Sequence, residues 1–317
     1  MEDYPRNLSE LENRFSNEEA CRDYLFSLRW PNGFRCPRCV HEDVWPLRRL
    51  VYQCAACGYQ VSITAGTIFE GTRKPLQMWF RAIWWVTSQK TGVSALGLQR
   101  VLGLGSYQTA WAWLHKLRRA MVRPGRDRLS GRVEVDETYL GGKDTGKQGR
   151  QHGKKALIVI AAQEDGRKIG RIRMRRVPDA SAASLIPFVT EVIEPGSVVH
   201  TDGWSGYARL KKKGYLHEPT SQGRLDIPGA QEDLLPRVHQ VVSLLKRWLM
   251  GTHQGAISPE HLDYYLDEFT FRFNRRTSRH RGKLFYRLLQ QAVTVAPAPY
   301  EQLIKHVRGR ERQNHNR

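Results

Sequence analysis

The sequence has no long apolar run. The longest, around Leu157 to Ala162, falls far short of the ~20 residues a membrane-spanning helix needs. It also lacks a lipidation signal and the strong amphipathic basic helix that would mark a membrane-surface protein. The first twenty residues are polar and acidic, so no signal peptide is expected and the chain reads as cytoplasmic and nucleoid-associated. Internal repeats and long low-complexity tracts are missing too. Cysteine is sparse, at five, and four of the five fall between positions 36 and 57. Acidic residues are outnumbered: 31 Asp plus Glu face 51 Lys plus Arg, a formal charge of +20. Such an excess repels itself unless a polyanion is the usual partner, and nucleic acid is the leading candidate.

What is present suits a folded protein of two or three domains. The chain has 317 residues, 40% of them hydrophobic and 26% charged, enough to bury a sizeable core. Residues 9 to 30 carry Leu11, Phe15, Cys21, Tyr24, Leu25 and Leu28 at helical spacing. Trp45 to Val51 and Tyr59 to Thr64 read as strands of a unit too small for its own apolar core. From Pro75 three helices are expected, the last two, Ser94 to Leu102 and Ser106 to Met121, being separated by Gly103 and Gly105 as in a helix-turn-helix. Pro124 to Asp127 is the natural linker. Beyond it strands are expected near Arg132 to Asp136, Ala156 to Ala162, Ile169 to Val177 and Ser197 to His200, with a helix from Ala180 to Glu191. A looser basic stretch leads to helices Val238 to Met250 and Pro259 to about Asn274, the second capped by Ser258. The alternation indicates a mixed α/β domain.

Cys36-x2-Cys39-x14-Cys54-x2-Cys57 places two thiol pairs where four sulfurs can close a tetrahedron around Zn²⁺. The alternative is two disulfides, which are rare in a reducing compartment. Arg35, Arg38, Arg48 and Arg49 around the cysteines favour DNA as what the ribbon grips. Cys21, on the apolar stripe of the first helix, reads as a small core residue. The helix from 106 to 121 carries Gln108, Thr109, Trp111, His115, Lys116, Arg118 and Arg119, a mixture of base-edge readers and phosphate partners. The same helix has an ordinary core stripe at Trp111, Leu114, Leu117 and Met121.

Asp136 follows Val133-Glu134-Val135, and Asp202 follows Val198-Val199-His200-Thr201, 66 residues later. Each acid emerges as a buried strand ends, on the face opposite Val133 and Val135 in the first case. An Asp near Gly is also an ordinary turn former. Two such acids in a basic chain point instead to a phosphodiester reaction assisted by Mg²⁺ or Mn²⁺, with cations about 4 Å apart. A third ligand is expected from a helix packed on the sheet. At about 100° per residue, His239 and Lys246 fall within about 20° of each other on one border of the stripe Val238, Val241, Val242, Leu245 and Leu249. Histidine suits Mn²⁺ better than Mg²⁺; Glu232, Asp233 and Glu268 are the alternatives, although Glu268 has Arg272 four residues on as a partner. Lys246 and the neighbouring Arg247 suit a DNA phosphate.

Taken together, the four cysteines, Val-Asp-Glu-Thr-Tyr-Leu-Gly-Gly-Lys from Val135, His-Thr-Asp-Gly-Trp-Ser-Gly-Tyr from His200, Leu-Leu-Lys-Arg-Trp-Leu-Met-Gly-Thr-His from Leu244 and Tyr-Leu-Asp-Glu-Phe-Thr-Phe-Arg-Phe-Asn-Arg-Arg from Tyr265 resemble the insertion-sequence transposases with an N-terminal zinc ribbon and an ISXO-like catalytic domain of the DDE superfamily. The resemblance spans nearly the whole chain. It implies an α/β ribonuclease-H-like catalytic domain, a mixed sheet with flanking helices, after a zinc ribbon and a small helix-turn-helix-like domain. The corresponding division is an N-terminal helix at 1–30, the ribbon at 31–70, helical DNA-binding at 75–123, catalysis at 130–295 and a basic tail at 296–317. It further implies Asp136 and Asp202 as metal ligands and Lys246 as the lysine that accompanies the third ligand, where related enzymes usually have Glu and this chain has His239. The expected activity is cleavage at terminal inverted repeats and joining to target DNA, by a homo-oligomer on paired ends. A DNA-binding protein without catalysis and a nuclease of the same fold are the alternatives.

Overall fold

Residues 3–47, 50–123, 125–141, 155–220, 234–255 and 257–305 are described by the structure, a computed structural model. The chain divides into two units, residues 1–123 with 278–305, and residues 124–277.

The first unit opens with helices α1 (Leu8–Arg14) and α2 (Glu18–Arg29). Where one helix is expected from the apolar spacing, two form, because Asn17 turns to cap a new one, its side chain accepting from the Ala20 N–H. Strands β1 (Val44–Pro46), β2 (Val51–Cys54) and β3 (Gln60–Ser62) make an antiparallel sheet in that order. The expected strand Trp45 to Val51 is thus divided between β1 and β2, and Leu50, just before β2, takes a left-handed φ of 64°. This sheet borrows its core from α2: Phe26 and Trp30 pack on Tyr52, with ring centroids 4.8 and 6.1 Å away. Helices α3 (Leu76–Ser88), α4 (Ala95–Leu102) and α5 (Tyr107–Ala120) follow. Gly103, at φ 61°, ends α4, and the Ser106 side chain caps α5. Trp79 of α3 stacks on Trp113 of α5 at 3.7 Å.

The second unit holds β4 (Arg132–Leu140), β5 (Ala156–Asp165), β6 (Lys168–Val177), α6 (Ala182–Val192), β7 (Val198–Thr201), β8 (Leu216–Pro219), α7 (Pro236–His253) and α8 (Leu262–Phe273). Its five strands lie in the order β6-β5-β4-β7-β8. β4, β5 and β6 are antiparallel, whereas β7 and β8 run parallel to β4. Alternation sorts the side chains. Val133, Val135, Val159 and Ala161 face α6, through Leu185, Phe188 and Val189. Ile158, Ile160, Ile172 and Met174 face α7 and α8, through Val238, Val241, Leu245, Leu266 and Phe269. β4 continues four residues past Asp136 because β5 pairs with it as far as Leu140. The acid is therefore mid-strand, at the level where β7 stops. β8 lies in the stretch whose composition reads as loop, and the helix expected from Pro259 opens with a 3-10 turn before α8. Ser258 makes no capping bond there.

After residue 277 the chain returns to the first unit as α9 (Arg281–Ala292) and α10 (Tyr300–Lys305). Phe285 of α9 meets Phe15, Phe80 and Trp84 edge-on or tilted at 5.7 to 6.0 Å. The compact units therefore part near 277, whereas the sequence division runs the catalytic region to 295.

Candidate functional site

The register of the sheet builds the first half of the site. In the parallel pair of β4 and β7, Arg132 stands beside Val198 and Glu134 beside His200. Two residues further along, where β7 has ended, lie Asp136 and Asp202, and the charge of Asp202 acts on Asp136. At that point β7 ends in a turn: Gly203 takes φ 83°, and the Asp202 carboxylate accepts from the Trp204 N–H at 2.9 Å. Asp136 shares the face of β4 that meets α7, opposite Val133 and Val135. His239, in the first turn of α7, brings its Nε2 to 3.3 Å from Asp136 Oδ2.

The electrostatics here centre on Asp136. Burial holds the Asp136 carboxyl above its ordinary value, and the negative charge of Asp202 pushes the same way, against the Glu137 backbone N–H and the His239 ring. Two adjacent carboxylates in a partly dry site repel each other, and a divalent cation between them removes that cost. Asp136, Asp202 and His239 offer two carboxylates and an imidazole, donor types that Mn²⁺ accepts, although their ligand atoms do not all come within 4.8 Å of one another as the four cysteines do. Below these groups Tyr207 is fully buried and donates its hydroxyl to Glu137 at 2.9 Å. Burial, then Glu137, raises that phenol well above its ordinary range, so it stays a proton donor.

Among the described residues, the four cysteines are the group of His, Cys, Asp or Glu whose ligand atoms all come within 4.8 Å of one another. Cys36 Sγ lies 3.6 Å from Cys57 Sγ, and Cys39 Sγ lies 3.5 Å from Cys54 Sγ. Sulfurs 2.3 Å from one zinc ion form a tetrahedron with edges of about 3.8 Å, so the cluster fits zinc with little adjustment. Each pair sits on the same kind of knuckle. The residue after its second cysteine, Val40 or Gly58, is left-handed, at φ 62° and 66°. Its N–H closes the turn onto the carbonyl of Cys36 or Cys54. No disulfide links them.

The other expected residues scatter. Lys246 and Arg247 are exposed on α7, two turns beyond His239. Glu268 is 1% exposed and accepts from Arg272 Nε at 2.9 Å and Nη2 at 2.7 Å, so it is committed inside the fold. Glu232 and Asp233 lie outside the described residues, as do Arg48 and Arg49. Arg35 and Arg38 are exposed beside the cysteines, Arg35 within 3.4 Å of Glu42. On α5, Gln108 is exposed at the first turn, while Lys116 and Arg119 are half-buried. Burial, partly offset by Glu70, lowers the Lys116 ammonium, and Arg119 reaches the Ala296 carbonyl at 3.5 Å. His115 and Arg118, read from sequence as base or phosphate partners, are 0% and 1% exposed and belong to the core. The spacing gives them a polar face, but the returning C-terminal helices cover the end of α5. Sequence reasoning did not single out Glu134, which accepts from the first turn of α7, or Tyr207, which donates to Glu137. The one available signal for Glu134 is a charge alternating with valines on the same strand face as Asp136.

Comparison with known proteins agrees with both halves of this picture. Residues 16–60 match the family described as the transposase zinc-ribbon domain, and residues 128–274 match the ISXO2-like transposase domain. Over 297 aligned residues the chain is 27% identical to a Halobacterium salinarum protein described as an uncharacterized protein in transposable element ISH50, covering 85% of this chain and 94% of that one.

Proposed function

Since the chain belongs to the insertion-sequence transposases in which a zinc ribbon precedes an ISXO2-like domain, we propose that it cuts DNA at the terminal inverted repeats of its element and joins the freed 3′ ends to target DNA. The observation that carries this reading is that Asp202, just past the end of β7, acts by its charge on Asp136 of the neighbouring β4, with His239 against Asp136 at 3.3 Å. Bound divalent cations would supply Lewis-acid stabilisation of the attacking and leaving oxygens of an in-line displacement. Asp136 and Asp202 would hold them, with His239 contributing a neutral imidazole. Lys246, exposed on the same border of α7, would take a DNA phosphate as a point charge and set the strand relative to the carboxylates. A water hydroxyl would attack the phosphorus at the element end and expel the 3′ oxygen as a free 3′ hydroxyl, which would in turn attack a target phosphorus and expel that strand's 3′ oxygen, so no covalent protein intermediate is involved.

We read the sheet order, three antiparallel strands followed by two parallel ones, as a ribonuclease-H-like core. The α4–Gly103–α5 element is read as helix-turn-helix-like, with Gln108 at the reading end. The zinc ribbon and these helices would locate the repeat, through Arg35, Arg38, Gln108, Lys116 and Arg119, and cutting two ends together would need more than one copy of the chain. None of the described helices is long and apolar enough to cross a membrane. The test is strand cleavage of a fragment carrying the element's own terminal repeat, in Mg²⁺ or Mn²⁺, by wild type and Asp136→Asn, with binding measured alongside. Cleavage lost and binding kept in the variant supports the enzyme. Binding without cleavage by wild type points to a DNA-binding derivative, and cleavage without joining to a nuclease.

A further inference from the structure

Helix α7 begins without a cap of its own: Leu235 precedes it, Pro236 opens it, and no side chain of its N-cap accepts a hydrogen bond. The N–H groups of its first turn are orphaned unless something outside the helix accepts them. That acceptor is Glu134. Its Oε2 takes the backbone N–H of Arg237 at 2.8 Å and of Val238 at 2.9 Å, and its Oε1 takes Arg237 Nη1 at 2.9 Å. The carboxylate is 1% exposed. A negative charge at a helix N-terminus is favoured by the helix dipole as well as by these bonds. Arg237 is in turn tied to Glu164 at 3.3 Å and to the Gly166 carbonyl at 2.9 Å, and Glu164 to Arg132 at 3.0 Å. The start of α7 is thus pinned to three points of the sheet.

Glu134 and Asp136 are alternate residues of β4, on one face and about 7 Å apart along the strand. Val238 and His239 are consecutive on α7. Glu134 to Val238 and Asp136 to His239 therefore form two rungs between the same strand and the same helix turn. The first is a buried, multiply bonded anchor and the second a looser contact at 3.3 Å with His239 half exposed.

We propose that Glu134 is a positioning residue: by capping α7 from the sheet it sets the helix at the height that holds His239 against Asp136. The inference rests on the reading of Asp136, Asp202 and His239 as cation ligands. Groups that orient metal ligands without touching the metal typically change affinity by about 10–100-fold when replaced.

The test uses the full chain with Glu134→Gln, which keeps the shape and loses the charge, and Glu134→Asp, which keeps the charge and falls short by one methylene. Amide hydrogen exchange over 237–239 and Mn²⁺ affinity by calorimetry are the readouts, with Asp136→Asn and His239→Ala as controls. Exchange at least ~10-fold faster with Mn²⁺ bound about 10-fold or more weakly, in a variant whose melting temperature allows folding at the assay temperature, is the expected result. Where Glu134→Gln does not fold, Glu134→Asp is expected to show the same pair of changes at smaller size. Faster exchange with unchanged Mn²⁺ affinity would make Glu134 a plain fold element and overturn the proposal, as would unchanged exchange. If Asp136→Asn binds Mn²⁺ as wild type does, the cation reading itself fails and the proposal falls with it.

Discussion

Asp136 and Asp202 each lie two residues beyond Glu134 and His200, the last paired residues of β4 and β7, so the register offset of that pair equals the separation of the two acids in the chain. Any one-residue slip would turn one of them to the opposite face of the sheet. The hydrophobic alternation that fixes the register therefore also fixes the site. Val133 and Val135, at 0% exposure, and Val199, also 0%, hold both strands in place beneath α6.

The two carboxylates make the cation-free site costly. Asp136 has its folded value raised, by burial first, so its contribution to stability is present in acid and is lost as the pH rises through that raised value. Asp136→Asn should therefore stabilise the cation-free protein at pH 7, by about 2–4 °C if the relief is ~1 kcal/mol, and the gain should vanish near pH 4. Thermal melts of both proteins at the two pH values measure this, and an equal difference at both would contradict it.

Zinc should be present at one ion per chain, and Cys54→Ser should remove it. Because the small sheet is short and leans on Phe26 and Trp30 of α2 through Tyr52, losing the metal should unfold residues 36–62 and abolish binding to the terminal repeat while leaving the second unit folded. Elemental analysis with limited proteolysis reads both effects. A metal-free variant with intact protection in that region would argue for a structure that needs no zinc.

Glu268 is the acid most easily mistaken for a third ligand from sequence. Its pairing with Arg272, both largely buried, predicts a structural penalty instead: Glu268→Ala should cost about 3–5 kcal/mol, as breaking a buried pair does. Mn²⁺ affinity below the melting range should stay within about two-fold of wild type, a margin of less than ~0.5 kcal/mol. Calorimetry on the folded variant decides, and a large loss of affinity would return Glu268 to the candidates.

On α5 the exposed and buried polar residues should separate. Gln108→Ala should change discrimination at one base position by about 1–3 kcal/mol, the worth of a bidentate contact. Arg118→Ala should instead lower stability and leave discrimination unchanged in the protein that remains folded. Competition binding over single-base variants of the repeat, with melts alongside, tests both.

Much of this was legible in the sequence because it is local. Cysteine spacing, the valines flanking Asp136 and Asp202 and the apolar stripes of α3 to α8 are short-range patterns. Their pairing is not local. Glu134 reads as one polar residue in a strand until α7, a hundred residues on, arrives to be capped by it. A like device recurs in the first unit, where Glu18 accepts the Leu76 N–H at 2.7 Å and starts α3. The helix α9, with Leu284, Phe285, Leu288 and Leu289 on its apolar stripe, lies past the last helix expected from the sequence, and only the structure returns it to the first unit. β8 is a short edge strand with little apolar pattern, and its ties to β7, His200 to Thr220 at 2.7 Å and Thr201 to His217 at 3.0 Å, are side-chain bonds that no periodicity announces.

The role proposed for Asp136, Asp202 and His239 together is to hold the catalytic cations. The most direct measurement is anomalous diffraction at the manganese edge from crystals grown with Mn²⁺ and terminal-repeat DNA. A manganese peak is expected within coordination distance, about 2.0–2.3 Å, of both carboxylates, with His239 turned toward it. A peak bound by other acids, or no peak at these residues while DNA is in place, would contradict it.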